Sequence, residues 1–185
     1  MKKEQLMKRR IGFFFIFLGI FSLAFTIGAE MEVPEEEAKV FLDEFNQLLE
    51  TLQTGNFGIE IFLHNTEIAL PMFIPGIGIG WGIFASFSTG FAFAALATTE
   101  PLLSKIPPLA MIFATPFGIM ELAAYSIGMS RSFFLIYAIF KKTPLVNQWK
   151  HTAIEVGIVV ILLLAGGLIE AYMIQTFTGA QNPLQ

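Results

Sequence analysis

The chain has 185 residues, 55% of them hydrophobic and 14% charged, with 21 Phe, no Cys and a formal net charge of −4. A mean hydropathy of +0.67, where ordinary soluble domains are about 25% charged, excludes a soluble globular domain, and the length fits one domain. Without Cys there is no disulfide, thiolate nucleophile or Cys-based metal site, and no basic surface suited to nucleic acid is present.

Unpaired backbone groups cannot sit in hydrocarbon, so spanning elements are helices or a closed barrel. Long apolar runs without period-two alternation indicate helices. The expected fold class is therefore all-α. It is a polytopic transmembrane helical bundle forming a single membrane domain over 1–185, with about five crossings and six as the alternative. Broken Gly/Pro-rich helices and one external amphipathic helix belong to it.

Met1–Arg10 carries five bases, Lys2, Lys3, Lys8, Arg9 and Arg10, against Glu4. Ile11–Gly28 follows with 18 uncharged residues. At 1.5 Å per residue this run is about 27 Å long, enough to span a ~30 Å hydrocarbon core. The apolar stretch of a cleaved signal peptide is usually about 7–15 residues, so an uncleaved anchor is the favoured reading. The positive-inside rule puts its N-terminus in the cytoplasm.

Ala29–Glu60 holds nine acids and one base, Lys39. Pro34 suits the first helical position, the glutamates after it suit the first turn, and Gly55 suits the stop. Ala38, Phe41, Leu42, Phe45, Leu48, Leu49 and Leu52 fall on one helical stripe. An external helix is expected over 35–54, packed on the bundle or offering its acidic face to a protein partner.

Ile59–Ala97 is a 39-residue apolar segment broken by Pro71, Pro75 and glycines at 76, 78, 80 and 82. It is expected to cross and return with a turn near Gly80–Gly82, or else to form one long kinked helix. The spacings Gly76/Gly80 and Gly78/Gly82 would let helices approach closely within one chain, or between chains in a homo-oligomer. Pro107–Phe140 is a further crossing, interrupted by Pro116, Glu121 and Ser130-Arg131-Ser132. Lys141–His151 reads as a cytoplasmic loop with Trp149 at the interface. Ala153–Ile174 is the last crossing, which puts the C-terminus outside in the five-crossing count.

Carboxylates inside apolar segments are costly and tend to mark function. Counted from the outer ends of their helices, Glu67 lies about 12 Å deep, Glu121 about 21 Å and Glu170 about 6 Å. With Asn65 they make a candidate intramembrane polar cluster. His64 and Arg131 are secondary candidates; Arg131 is too far along its helix to pair with Glu121, and Glu155 reads as interfacial. His64 and Glu67 share a face at i, i+3, a spacing found in metal sites, but a hydrogen-bonded pair inside the bundle is preferred and no metal is assigned. Pro71, Pro75, Gly76, Gly78, Gly80, Gly82, Pro116 and Gly118 are the packing or hinge candidates. No HExxH, GxSxG or phosphate-loop motif is present, so neither an enzyme nor a cofactor is expected.

Three pieces of sequence resemble the stage II sporulation protein M family of multi-spanning membrane proteins. Ile61-Phe62-Leu63-His64-Asn65, followed by Ala69-Leu70 and a Gly-rich run, resembles its apolar–Asn entry to a second crossing. Pro116-Phe117-Gly118-Ile119-Met120-Glu121-Leu122-Ala123-Ala124 resembles its Pro-His-Gly-x-x-Glu-x-x-Ala motif. Ile169-Glu170-Ala171-Tyr172 resembles its terminal Ile-Glu-Ala-aromatic motif. Phe117 stands where the family has His, and Thr89-Gly90 where Asn-Gly is common, so the resemblance carries over Asn65, Glu121 and Glu170 only. The family's namesake anchors peptidoglycan-degrading proteins at the engulfing membrane. The resemblance thus implies a non-enzymatic scaffold that recruits partners, with the lipid bilayer as its surroundings. A small transporter or channel using the intramembrane carboxylates is the alternative.

Overall fold

The computed structural model describes residues 3–53, 56–99 and 102–181. The expected helix end at Thr54, the stop at Gly55 and the last residues of the polar tail lie outside them, as do the side chains of Phe45, Leu48, Leu49 and Leu52. Among the described residues the chain is all-helical: α1 (Lys3–Ala29), α2 (Glu35–Gln53), α3 (Phe57–Ala69), α4 (Ile77–Thr99), α5 (Pro108–Phe113), α6 (Pro116–Phe140) and α7 (Trp149–Gln181). Four stretches, Met7–Ala29, Ile77–Thr99, Pro116–Phe140 and Trp149–Thr176, are long and apolar enough to cross a membrane. Their outward faces expose Phe15 and Leu23 on α1, Phe84 on α4, and Ile161 on α7. A belt of large apolar side chains on this scale suits hydrocarbon rather than water. The protein is an integral membrane protein.

Aromatic contacts set the helix directions. Phe13 stacks on Phe133 at 4.5 Å between ring centroids, and Phe21 on Tyr125 at 5.4 Å, so α1 and α6 are antiparallel. Ser86 Oγ donates to Phe21 O at 2.6 Å, and Gly90 abuts the backbone at Phe25, so α4 runs parallel to α1. Asn65 meets Glu121, while Ser132 Oγ donates to Ile74 O at 2.7 Å; α3 therefore runs with α6 and against α4. Gly166 lies beside Phe117 and Met120, and Arg131 beside Glu155, which makes α7 antiparallel to α6. The central helix is α6, whose Leu122, Ala124, Ser126 and Met129 are almost fully buried.

The α3–α4 segment is a hairpin, but its turn lies at Ile74–Gly76 rather than Gly80–Gly82. Pro71 opens a 3-10 turn over Leu70–Phe73, and its ring cannot continue the α-helical hydrogen bonding. Ile74 is extended, Pro75 follows, and Gly76 reverses the chain at φ +86°. Gly78, Gly80 and Gly82 lie inside unbroken α4. Left-handed backbone costs a residue with a Cβ roughly 1–2 kcal/mol. Gly76→Ala should lose about that much in an unfolding titration in detergent. Gly80 has nothing within 4 Å of a Cβ position, so Gly80→Ala should be neutral, or gain up to about 1 kcal/mol from helix propensity.

Of the breaks expected in Pro107–Phe140, the one at Ser130-Arg131-Ser132 does not occur. Ser130-Arg131-Ser132 continues α6 without interruption. Ser130 Oγ bonds Ile127 O at 3.1 Å, Ser132 reaches Ile74 O, and Arg131 finds an ion partner, so all three polar side chains are accommodated. The one expected at Pro116 is found just before it, at Ala114–Thr115. There Thr115 caps α6, its Oγ1 accepting from the Gly118 N–H at 3.2 Å, and Pro116 occupies the first turn.

Helix α2 packs on α4: Val33 and Ala38 are buried with Ala94 and Ala95, and Phe41 and Phe91 close over them. Its acids Glu35, Glu36, Glu37 and Asp43 remain exposed. Lys39 lies 2.7 Å from Glu35, and that hydrogen bond holds the Glu35 carboxyl below the usual carboxylate range.

Candidate functional site: two polar levels in one bundle

On α3 the buried positions Phe57, Ile61, Asn65 and Ala69 recur every fourth residue. This stripe turns Asn65, at 8% exposure, into the bundle. Asn65 Nδ2 donates to Glu121 Oε1 at 2.6 Å. Glu170 of α7 follows Gly166 and Gly167, which lie beside Met120 of α6 and against the Gly58 and Phe62 backbone of α3.

The structure brings Asn65 and Glu121 together, while Glu170 lies toward the Phe57 end of α3, where its neighbour Ala171 packs on Phe57 and Ile61. It does not bring Glu67 or His64 to that pair, since both are exposed on the opposite face of α3. Their i, i+3 spacing points them away from the stripe that carries Asn65. Among the described residues no group of three His, Cys, Asp or Glu is placed to hold a metal ion. The pair is instead one carboxyl oxygen with one amide donor. Asn65→Ala removes the amide that Glu121 accepts from. An unmet buried acceptor costs about 1–3 kcal/mol, a loss an unfolding titration in detergent should show. Glu121→Gln keeps an oxygen acceptor for Asn65 and should be far milder.

Arg131 belongs to a different level. It lies ten residues beyond Glu121 on α6, about 15 Å along the helix. Its Nε donates to Glu155 Oε2 at 2.5 Å and its Nη2 lies 2.5 Å from Glu155 Oε1. Arg10 of α1 pairs with the same Glu155 Oε1. This two-arginine, one-carboxylate triad joins α1, α6 and α7, and neither Glu155 nor Arg10 is among the site residues expected from sequence. Between the levels lie Met72, Met129, Val159 and Leu163, each with 0% exposure.

The hinge and packing candidates divide by neighbourhood. Gly78 abuts the Met72 backbone, Gly82 the Met129 side chain, and Gly118 the Ile112 carbonyl. Pro71, Pro75 and Gly76 form the hairpin turn, Pro116 starts α6, and Gly80 faces outward. Of the two departures from the family motifs, Phe117 lies against Gly166 one turn before Glu121. Thr89 is exposed and bonds only its own helix, to Ala85 O at 2.9 Å.

A family model described as Stage II sporulation protein M matches residues 12–174, a range containing Asn65, Glu121, Arg131, Glu155 and Glu170. No curated protein and no solved structure matches the chain.

Proposed function

We propose, from the premise that the chain belongs to the stage II sporulation protein M family, that it is a non-enzymatic membrane scaffold. In this reading it holds a protein partner at its outer face. The observation that carries it is α2, an amphipathic helix docked on α4 by its apolar side. Its acidic face, with Glu36, Glu37, Asp43 and the exposed Val40, is turned outward. The N-terminus is cytoplasmic, and the hairpin of α3 and α4 adds one crossing to the four long spans. That makes five, and puts α2 and the C-terminus outside. The partner presents a complementary basic surface with an apolar contact for Val40.

The test is chemical crosslinking in cells, comparing the intact chain with a Glu36→Lys/Glu37→Lys/Asp43→Lys variant. The crosslinked partner should be lost from the variant while the protein still inserts and resists protease. Equal crosslinking by the two proteins would overturn the reading.

The Asn65–Glu121 pair, with Glu170 further along the bundle on α7, supports a second reading, a small transporter of protons or monovalent cations. In proteoliposomes, flux that disappears in Glu121→Gln and Glu170→Gln would favour it. The apolar layer of Met72, Met129, Val159 and Leu163 favours the scaffold, because a transported ion would have to part that layer to pass from one polar level to the other.

A further inference from the structure

The triad is unbalanced, because two guanidinium groups share one carboxylate. Arg131 engages both oxygens of Glu155, and Arg10 shares one of them. An arginine has five N–H donors, and Arg10 Nη1 is buried with no hydrogen-bond partner among the described residues. The other acid at this end, Glu4, is taken by Lys8 at 2.7 Å.

More positive charge converges beside Arg10. Its guanidinium lies 4.6 Å over the Phe134 ring. Arg9 and Lys141 lie 5.8 and 5.7 Å from the centroid of the Tyr137 ring. Phe134, Tyr137 and Lys141 fall at i, i+3 and i+7, so one face of the last two turns of α6 gathers three cationic groups. Phe140 and Trp149, 81% and 65% exposed, stand at the same end. Exposed aromatics beside bases mark the depth of lipid headgroups.

We propose that this face, between the start of α1 and the end of α6, binds one phosphate-bearing anionic lipid. Its phosphate accepts from Arg10 and lies between Arg9 and Lys141. The acyl chains run inward along the exposed apolar side of α1, where Ile11 and Phe15 are open. A basic pocket between membrane helices is suited to such a headgroup. The site needs a net negative charge, because the excess cation of the triad is what it neutralises. The lipid would tie α1 to α6 at the end where Glu155 already bridges Arg10 and Arg131.

Native mass spectrometry of the full chain, released from mixed phosphatidylglycerol and phosphatidylcholine micelles, tests this. Phosphatidylcholine offers the same phosphate but cancels its charge. One phosphatidylglycerol should be retained in preference to phosphatidylcholine. Lys141→Gln should cut that retention about five-fold, the worth of one basic residue at an anionic surface. Arg10→Gln should cut it at least as much, and it leaves Glu155 paired with Arg131, so folding is not at stake. Equal retention of the two lipids, or unchanged retention in both variants, would overturn the proposal. Inorganic phosphate is the separating arm: if it displaces phosphatidylglycerol, the site takes a free anion and the lipid assignment fails.

Discussion

Glu155→Gln is expected to destabilise the protein by about 3–5 kcal/mol, the range for removing one partner of a buried ion pair. Arg131 keeps 5% of its side chain exposed and Glu155 18%, so solvent cannot replace the lost charge. The variant leaves Arg10 and Arg131 facing each other with only an amide between them. The cost should therefore exceed that of removing either arginine, because Arg10→Gln and Arg131→Gln each leave a one-to-one pair. Adding Arg131→Gln to Glu155→Gln should recover much of the loss, since the repulsion then disappears. An unfolding titration of the four variants in one detergent gives the order. If Glu155→Gln were no worse than Arg10→Gln, the three side chains would not form one unit.

The triad also shows why part of the site was illegible in the sequence. Arg131 stands out there as the one base inside an apolar run. Its partner could not be found along its own helix, because Glu121 is about 15 Å away on that helix. The partner sits on α7, near a loop whose bases make Glu155 look like an interfacial residue. Arg10 looks like one of several topology-setting charges, and only the antiparallel packing of α1 on α6 singles it out. Asn65 and Glu121 were more legible, since polar groups in an apolar run must find each other. Glu67 breaks that logic: it lies in the same run, but two positions past Asn65 the helix has turned it out of the bundle.

The hairpin carries a related lesson. Alternating glycines at 76, 78, 80 and 82 suggest a bend, yet only Gly76 adopts a conformation that needs glycine. The others are divided by the period of a helix rather than by their spacing. Gly78, Gly82, Ser86, Gly90 and Ala94 are all buried on α4, a small residue every fourth position over four turns. Sequence reading catches the first pair of that stripe and stops, because Ser86, Gly90 and Ala94 lie among phenylalanines that read as generic lipid-facing helix.

Gly90→Ala is the second substitution with a large expected effect. A Cβ there would lie 2.0 Å from Phe25 O and 2.8 Å from Ala29 N. Both are backbone atoms of α1, so no side chain can rotate aside and the whole helix must retreat. Retreat would stretch the Ser86–Phe21 hydrogen bond and open the contact that Gly28 makes with Phe87 O. Overpacking of this kind costs about 1–3 kcal/mol, and Gly90 belongs at the upper end because both helices approach through backbone. Gly28→Ala meets the same carbonyl wall from the other side and should cost as much. Gly82→Ala is the graded control: its Cβ would meet Met129 Cγ at 2.5 Å and Sδ at 2.6 Å, and a methionine can re-pack. One unfolding assay should therefore rank the losses Gly90→Ala above Gly82→Ala, with Gly80→Ala unaffected. If Gly90→Ala instead left stability intact and changed the oligomeric state on a sizing column, the stripe would join two chains rather than α1 to α4. The packing within one chain argues for the single-chain outcome, because Met72, Met129, the α1 backbone at Phe21 and Phe25, and Ala38 of α2 already cover the stripe that a second copy would need.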